Sequence, residues 1–172
     1  TQSCPPTPGQ PHKLPLHIPV GVGLLGADGR DLPLTVDGAV DGTSVVLELT
    51  EARQSFCFSD VSELPTPSIL RNFSAPVVLE YPYTDAEMLH LFSHDSDPVN
   101  RWEAGQRLAM ERLLKLTGQL AAGGKLELDD TFLDALRKLL CDSTLDAAFR
   151  EQALLLPSES MIADQMDAVN PQ

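Results

Sequence analysis

The sequence predicts an all-β sandwich followed by an all-α antiparallel helical segment, and three observations carry that prediction. Up to Tyr81 the apolar residues recur at every second position, the spacing of a strand whose side chains alternate between two faces. Beyond Thr84 they recur every three or four positions, as on a helix with one buried stripe. Glycine and proline turns separate the β segments at intervals of about ten residues, which suits a sandwich of short strands. The chain divides accordingly into a proline-rich loose segment (1–13), a β-sandwich domain (14–82) and a helical domain (83–172).

Taken in order, Cys4-Pro-Pro-Thr-Pro-Gly-Gln-Pro11 carries too much proline for a central strand and reads as a loop or loose end. Leu16, Ile18, Val20, Val22 and Leu24 then share one strand face, with His17, Pro19, Gly21 and Gly23 on the other. Ala27-Asp-Gly29 has the Asp-Gly chemistry of a tight hairpin turn. Leu32, Leu34 and Val36 resume the alternation, and Asp37-Gly38 and Asp41-Gly42 mark the next connection. Val45, Leu47 and Leu49 form a strand, Phe56 and Phe58 another, and Ile69–Phe73 and Val77–Tyr81 two more. A sandwich of the immunoglobulin-like kind has about seven strands; the seventh would lie within Thr1–Lys13 or upstream of it. Gly21-Val-Gly23, inside a strand, signals thin packing or a bulge.

In the second half, Thr84 or Asp85 caps a short helix reaching about His94. Asp97-Pro98 starts the next: aspartate accepts free amide hydrogens at the N-cap, and proline in the first turn loses no needed donor. Val99, Trp102, Ala109, Leu113 and Leu116 are expected to form its stripe, with Trp102 a core anchor, until Gly123-Gly124 ends it. Asp129 or Asp130 starts a third helix with Phe132, Leu133, Leu136, Leu139 and Leu140 inward. A fourth runs from about Leu145 to Leu156 and stops at Pro157; a fifth is capped by Ser158 with Met161, Ile162 and Met166 inward. Five such helices form either a small bundle or the first layers of a solenoid, and no fixed internal repeat is present.

Composition narrows the function. Of 172 residues, 42% are hydrophobic, enough for a core. Twelve Lys and Arg face 25 Asp and Glu, a net charge of -13, which repels phosphate backbones and anionic lipid and argues against nucleic-acid or membrane partners. No apolar run approaches the length of a membrane span. Thr1–Gln10 has no basic, then apolar, leader pattern, and both ends of the chain read as cut. Cys4, Cys57 and Cys141 are odd in number, widely spaced and without a Cys-x-x-Cys, so neither a disulfide framework nor a structural zinc site is expected. A reducing, cytoplasmic setting follows, with Cys57 a buried small hydrophobe or a neutral strand residue.

A search for catalytic constellations finds no Gly-x-x-x-x-Gly-Lys-Ser/Thr loop, no Gly-x-Gly-x-x-Gly and no Gly-x-Ser-x-Gly. In His90-Leu-Phe-Ser-His94 two histidines four apart share a helix face and are of metal-ligand type. The metallopeptidase version places Glu directly after the first His, as general base for zinc-bound water; here that position is Leu91, and Glu87 is the one helical candidate for a third ligand. A solvated helix edge is the expectation. His12 and His17 form no cluster. Asp129-Asp130 supplies favourable charge at a helix start, and Asp28, Asp31, Asp37 and Asp41 lack calcium-loop spacing. Asn72-Phe-Ser74 has the glycosylation pattern but no secretion signal beside it. No catalytic, cofactor-binding or metal residue is assigned.

The ordered series Leu14-Pro-Leu-His-Ile-Pro-Val20, Ala27-Asp-Gly29, Leu32-Pro-Leu34, Ser44-Val-Val-Leu-Glu-Leu-Thr-Glu51, Gln54-Ser-Phe-Cys-Phe58, Ser68-Ile-Leu-Arg-Asn-Phe-Ser-Ala-Pro-Val77, Arg101-Trp-Glu-Ala-Gly-Gln106 and Leu156-Pro-Ser-Glu159 resembles bacterial aminopeptidase N (membrane alanyl aminopeptidase), a gluzincin zinc metallopeptidase family. The resemblance runs from about Lys13 to the end. It implies the third, β-sandwich domain of a four-domain enzyme and the start of its C-terminal helical domain, which covers the active site. It implies zinc, but in the parent's second domain: neither His-Glu-x-x-His nor Gly-x-Met-Glu-Asn occurs here. The implied partners are the remaining domains of the parent, with peptide substrates for the parent alone, and apolar faces that meet those domains would favour self-association. Two competing expectations are a free-standing interaction module and an independent metal enzyme built on His90 and His94.

Overall fold

The computed structural model of the chain describes residues 1–36, 38–40, 42–166 and 169. It comprises two compact units, Thr1–Tyr81 and Pro82–Gln172. Asp37 and Asp41, expected in turns, and the end of the chain from Asp167 other than Val169 lie outside the described residues.

In the first unit the strands are β1 (Ile18–Leu25), β2 (Thr35–Val36), β3 (Ala39–Val40), β4 (Val45–Leu49), β5 (Phe58–Ser59) and β6 (Thr66–Ile69). They form two antiparallel three-stranded sheets, ordered β4-β1-β6 and β3-β2-β5. In the larger sheet Val20 stands opposite Leu47, Val22 opposite Val45 and Ile69, and Leu24 opposite Pro67. The expected apolar face of β1 is therefore shared across three strands, because opposite residues in a ladder project to the same side. Leu16, assigned to that face, instead precedes the strand, exposed, its N–H donated to the Gln2 side chain. The Asp-Gly turn forms as expected: Gly29 N–H reaches Gly26 O at 2.9 Å, with Gly29 at φ 80, a conformation that glycine enters without steric cost.

Two expected strands are absent. Strand β6 stops at Ile69; Leu70 then turns left-handed (φ 65) and Arg71–Phe73 form a 3₁₀ turn. Val77–Tyr81 is irregular, because Val77 donates its N–H to Ala75 O two residues back rather than to a neighbouring strand. Cys57 is exposed and not buried: Phe56 and Phe58 take the inward positions, and a period of two leaves the residue between them outside. The proline-rich segment 1–13 contains no strand but is fastened. Gln2 donates its N–H to Ala52 O and its side-chain amide to Leu16 O and Glu51 O, while Lys13 bridges Thr7 and Gln10.

The second unit contains α1 (Asp85–His94), α2 (Pro98–Ala121), α3 (Asp130–Cys141), α4 (Ala147–Leu154) and α5 (Glu159–Ala163). Side-chain caps start all five: Thr84, Asp97, Asp129, Asp146 and Ser158 each accept a first-turn amide hydrogen, which satisfies donors the helix itself leaves free. The core is Met88, Leu91, Phe92, Ala104, Leu108, Ala109, Phe132, Ala135, Leu139 and Ala153. The buried stripe of α2 is therefore Arg101, Ala104, Gly105, Leu108, Ala109 and Arg112, rotated from the expected one. Trp102, expected as a core anchor, is 37% exposed, and Val99 is exposed beside it. Small residues win the inward positions because they admit α1 closely: a Cβ on Gly105 would lie 2.6 Å from the Phe92 ring. On α3 Leu133 and Leu140, and on α5 Met161, are likewise exposed rather than inward.

The caps give the helical unit an acid sensitivity. Glu87 lies below its ordinary value of 4.5 because it accepts the Thr84 backbone N–H and hydroxyl. Asp129 lies below its ordinary 3.8 because it accepts the Thr131 hydroxyl and the Phe132 N–H, with Arg112 adding to the effect. A carboxylate held more acidic in the folded state stabilises fully above its unfolded value, and that contribution is lost as pH falls through the lower, folded value. The thermal midpoint read by helical circular dichroism is expected to be flat near neutrality and to fall below about pH 4. Thr84→Ala is expected to cost about 1 kcal/mol near neutral pH and to shrink part of that acid dependence.

Candidate functional site

The histidine pair is the motif of metal-ligand type that the sequence offered, with a solvated helix edge as the expectation. His90 and His94 sit one turn apart on α1, ring centroids 5.1 Å apart and tilted by 50°. Glu87, the third-ligand candidate, is committed elsewhere: its Oε2 accepts from Thr84 N and from Thr84 Oγ1, both at 2.7 Å, closing a capping box with the Glu87 N–H donated back to Thr84 Oγ1. Among the described residues no group of three or more His, Cys, Asp or Glu is arranged to hold a metal.

The polar groups that are organised belong to three arginines. Arg101 donates Nε to Phe92 O at 2.9 Å and an Nη to Ser93 O at 2.8 Å, closing the carbonyl end of α1, and lies 5.9 Å from the Phe149 ring. Four and five residues on, Gly105 seats Phe92 and Gln106 donates its amide to Leu155 O at 2.7 Å. The Arg101–Gln106 stretch thus joins α2 to α1 on one side and to the end of α4 on the other. Arg112 binds both oxygens of Asp85 (2.5 and 2.9 Å) and Asp129 Oδ2 (3.1 Å), and covers the Phe132 ring at 5.4 Å. It clamps the starts of α1 and α3 to α2; donating hydrogen bonds to the Asp85 carboxylate holds its pKa above the ordinary value.

In the first unit the corresponding group is Arg71. Its guanidinium reaches Ser68 Oγ at 2.9 Å and Asp31 Oδ1 at 2.6 Å, while the whole residue is only 4% exposed. Gly21 and Gly23 make this possible: a Cβ on Gly23 would lie 2.0 Å from Arg71 Cζ, and one on Gly21 would lie 2.8 Å from Arg71 O. The glycine pair read as thin packing is the floor of an arginine seat. On the other face of the same sheet, Val20, Val22, Leu24, Leu47, Phe56 and Phe58 line an open apolar groove of about 830 Å³. The groove carries no cluster of reactive side chains.

What these arrangements do is hold neighbouring elements to one another. Sequence reasoning missed the arginines. The available signals were the Gly21/Gly23 pair opposite a lone arginine in an apolar segment, and the phase that Arg101 and Arg112 share with Leu108.

The stretches tied together in this way align with known proteins in the same order. Residues 1–82 match the family described as a domain of unknown function (DUF3458) with an Ig-like fold. Residues 85–172 match the one described as a domain of unknown function (DUF3458_C) of ARM repeats. Aminopeptidase N of Escherichia coli (strain K12) is 35% identical over 171 residues, 99% of this chain and 19% of that protein. The chain belongs to the DUF3458 family. Aminopeptidase N of Caulobacter vibrioides is 41% identical over 151 residues, covering 87% of this chain and 16% of that protein. Among solved structures, the crystal structure of Legionella pneumophila aminopeptidase A in complex with aspartic acid superposes with a TM-score of 0.67 at 27% identity, over 89% of this chain and 16% of that one. The chain thus spans less than a fifth of the length of each of these proteins. The Ig-like and ARM-repeat descriptions agree with the sandwich-then-helices order read from the sequence.

Proposed function

We propose that this chain is an architectural, non-catalytic portion of a zinc aminopeptidase, a cytoplasmic enzyme that removes N-terminal residues from peptides. In this reading the β-sandwich unit is a spacer, and the helical unit is the N-terminal part of a cap that restricts access to an active site carried by other domains. The carrying observation is the alignment of 99% of the chain with 19% of an aminopeptidase N. The side chains that hold its elements together support it: Arg71, Arg101, Gln106 and Arg112 are all spent on packing. Zinc in this reading is held by residues outside this stretch, since Glu87 is engaged by Thr84 and no group of three metal-ligating side chains occurs among the described residues.

The test is metal content. After dialysis with zinc the purified chain is expected to retain far less than one equivalent, and His94→Ala is expected to leave that figure unchanged. Stoichiometric zinc lost on His94→Ala would replace this reading with an independent metal site. A second reading, a free-standing interaction module, is favoured by the apolar groove alone.

A further inference from the structure

We propose that the loop Leu70–Val78 is a docking surface for another part of a longer aminopeptidase polypeptide, an inference that rests on the functional reading above. Three residues with a Cβ occupy the left-handed region here: Leu70 (φ 65), Asn72 (φ 55) and Phe73 (φ 51). L-residues avoid that region because Cβ crowds the following carbonyl, and such strain persists only where the surroundings enforce it.

The enforcement is visible. Arg71, between the strained residues, is locked by Ser68 and Asp31. Ser74 Oγ accepts the Gly21 N–H at 2.8 Å, and Ala75 is buried. Pinned at these points, the loop turns its apolar side chains outward: Phe73 is 65% exposed, Val77 40% and Val78 91%. Strain that presents a phenylalanine to solvent gains nothing for the unit itself, so the gain lies in what the surface meets. A rigid, pre-shaped surface binds with little ordering cost.

The chemistry selects the occupant. Asn72–Leu79 contains no charged residue, so the complementary surface is apolar and uncharged. A second copy is disfavoured by a net charge of -13 on each chain. The matched stretch is 19% of the Escherichia coli relative, so most of such a protein is polypeptide able to supply that surface.

The test compares the 172-residue chain with the longest polypeptide that its reading frame encodes. Val78→Cys, with Cys4, Cys57 and Cys141 changed to serine, is labelled with a maleimide in both. Labelling is expected to be fast in the 172-residue chain and at least about tenfold slower in the longer polypeptide. Phe73→Gly, which tolerates φ 51, is expected to leave the unfolding midpoint of the 172-residue chain unchanged or raised and to lower that of the longer polypeptide. Equal labelling in both overturns the proposal, as does a reading frame confined to these residues. Slow labelling already present in the 172-residue chain places the cover within the chain, or in a second copy if the rate depends on concentration, and overturns it too. Hydrolysis of an aminoacyl anilide by the longer polypeptide separates the two claims: activity with an exposed loop sinks the docking surface alone, and a protected loop without activity supports docking while sinking the peptidase reading.

Discussion

Phe92→Ala is expected to cost the helical unit about 3–5 kcal/mol, the range for removing a fully buried aromatic ring from a core that cannot collapse around the space. Phe92 is 0% exposed. Its ring seats against Gly105 on α2 and lies 6.4 Å from the ring of Phe132 on α3. One side chain therefore joins three helices, and its loss separates α1 from both neighbours. Urea unfolding followed by the far-ultraviolet helical signal reads the effect as a lowered midpoint. Gly105→Ala provides the complementary test. Its Cβ meets the Phe92 ring at 2.6 Å, so the substitution is expected to destabilise by about 1–3 kcal/mol as overpacking. In the Phe92→Ala background that clash disappears, and the two changes should be strongly non-additive. Additive losses would mean that the two residues do not meet.

The second large effect is expected at Arg71. Arg71→Met keeps the length of the side chain but removes its charge, leaving Asp31 half-sheltered and Ser68 buried without their guanidinium partner. Removing one member of a buried ion pair costs more than the pair contributes, and a loss of about 3 kcal/mol from the β-sandwich unit follows. The readout is hydrogen exchange at the amides of β1, which report this unit separately from the helices. Gly23→Ala should approach the same loss by a different route, because its Cβ would lie 2.0 Å from Arg71 Cζ. Arg71→Met combined with Asp31→Leu should recover part of the stability, since the carboxylate is removed together with the guanidinium that faced it. If Arg71→Met left β1 exchange unchanged, the arginine would be a passenger rather than the hub of the unit.

Much of the architecture was legible because local signals and tertiary packing agree. Thr84, Asp97, Asp129 and Ser158 cap the helices the sequence placed behind them, and a cap is written in one or two residues. The β1 face at Val20, Val22 and Leu24 was legible for a similar reason: a strict alternation admits one inward side. What failed depended on contacts distant in sequence. Val77–Tyr81 has strand-like composition but spends a backbone donor on a local turn. The phase of α2 was misread because hydrophobicity favours Trp102 and Leu113, whereas close helix approach favours Gly105 and Ala104 with arginine stems between them. Gly21 and Gly23 signalled close approach, but only the fold names Arg71 as the group that approaches. The histidine pair was legible as a pair; that Glu87 belongs to a cap required the geometry.

The architectural reading is tested most directly by hydrolysis. The purified 172-residue chain, supplied with zinc and an aminoacyl p-nitroanilide, is expected to release nitroaniline no faster than zinc in buffer. Turnover that follows the chain through purification, requires zinc and disappears in His94→Ala would contradict it.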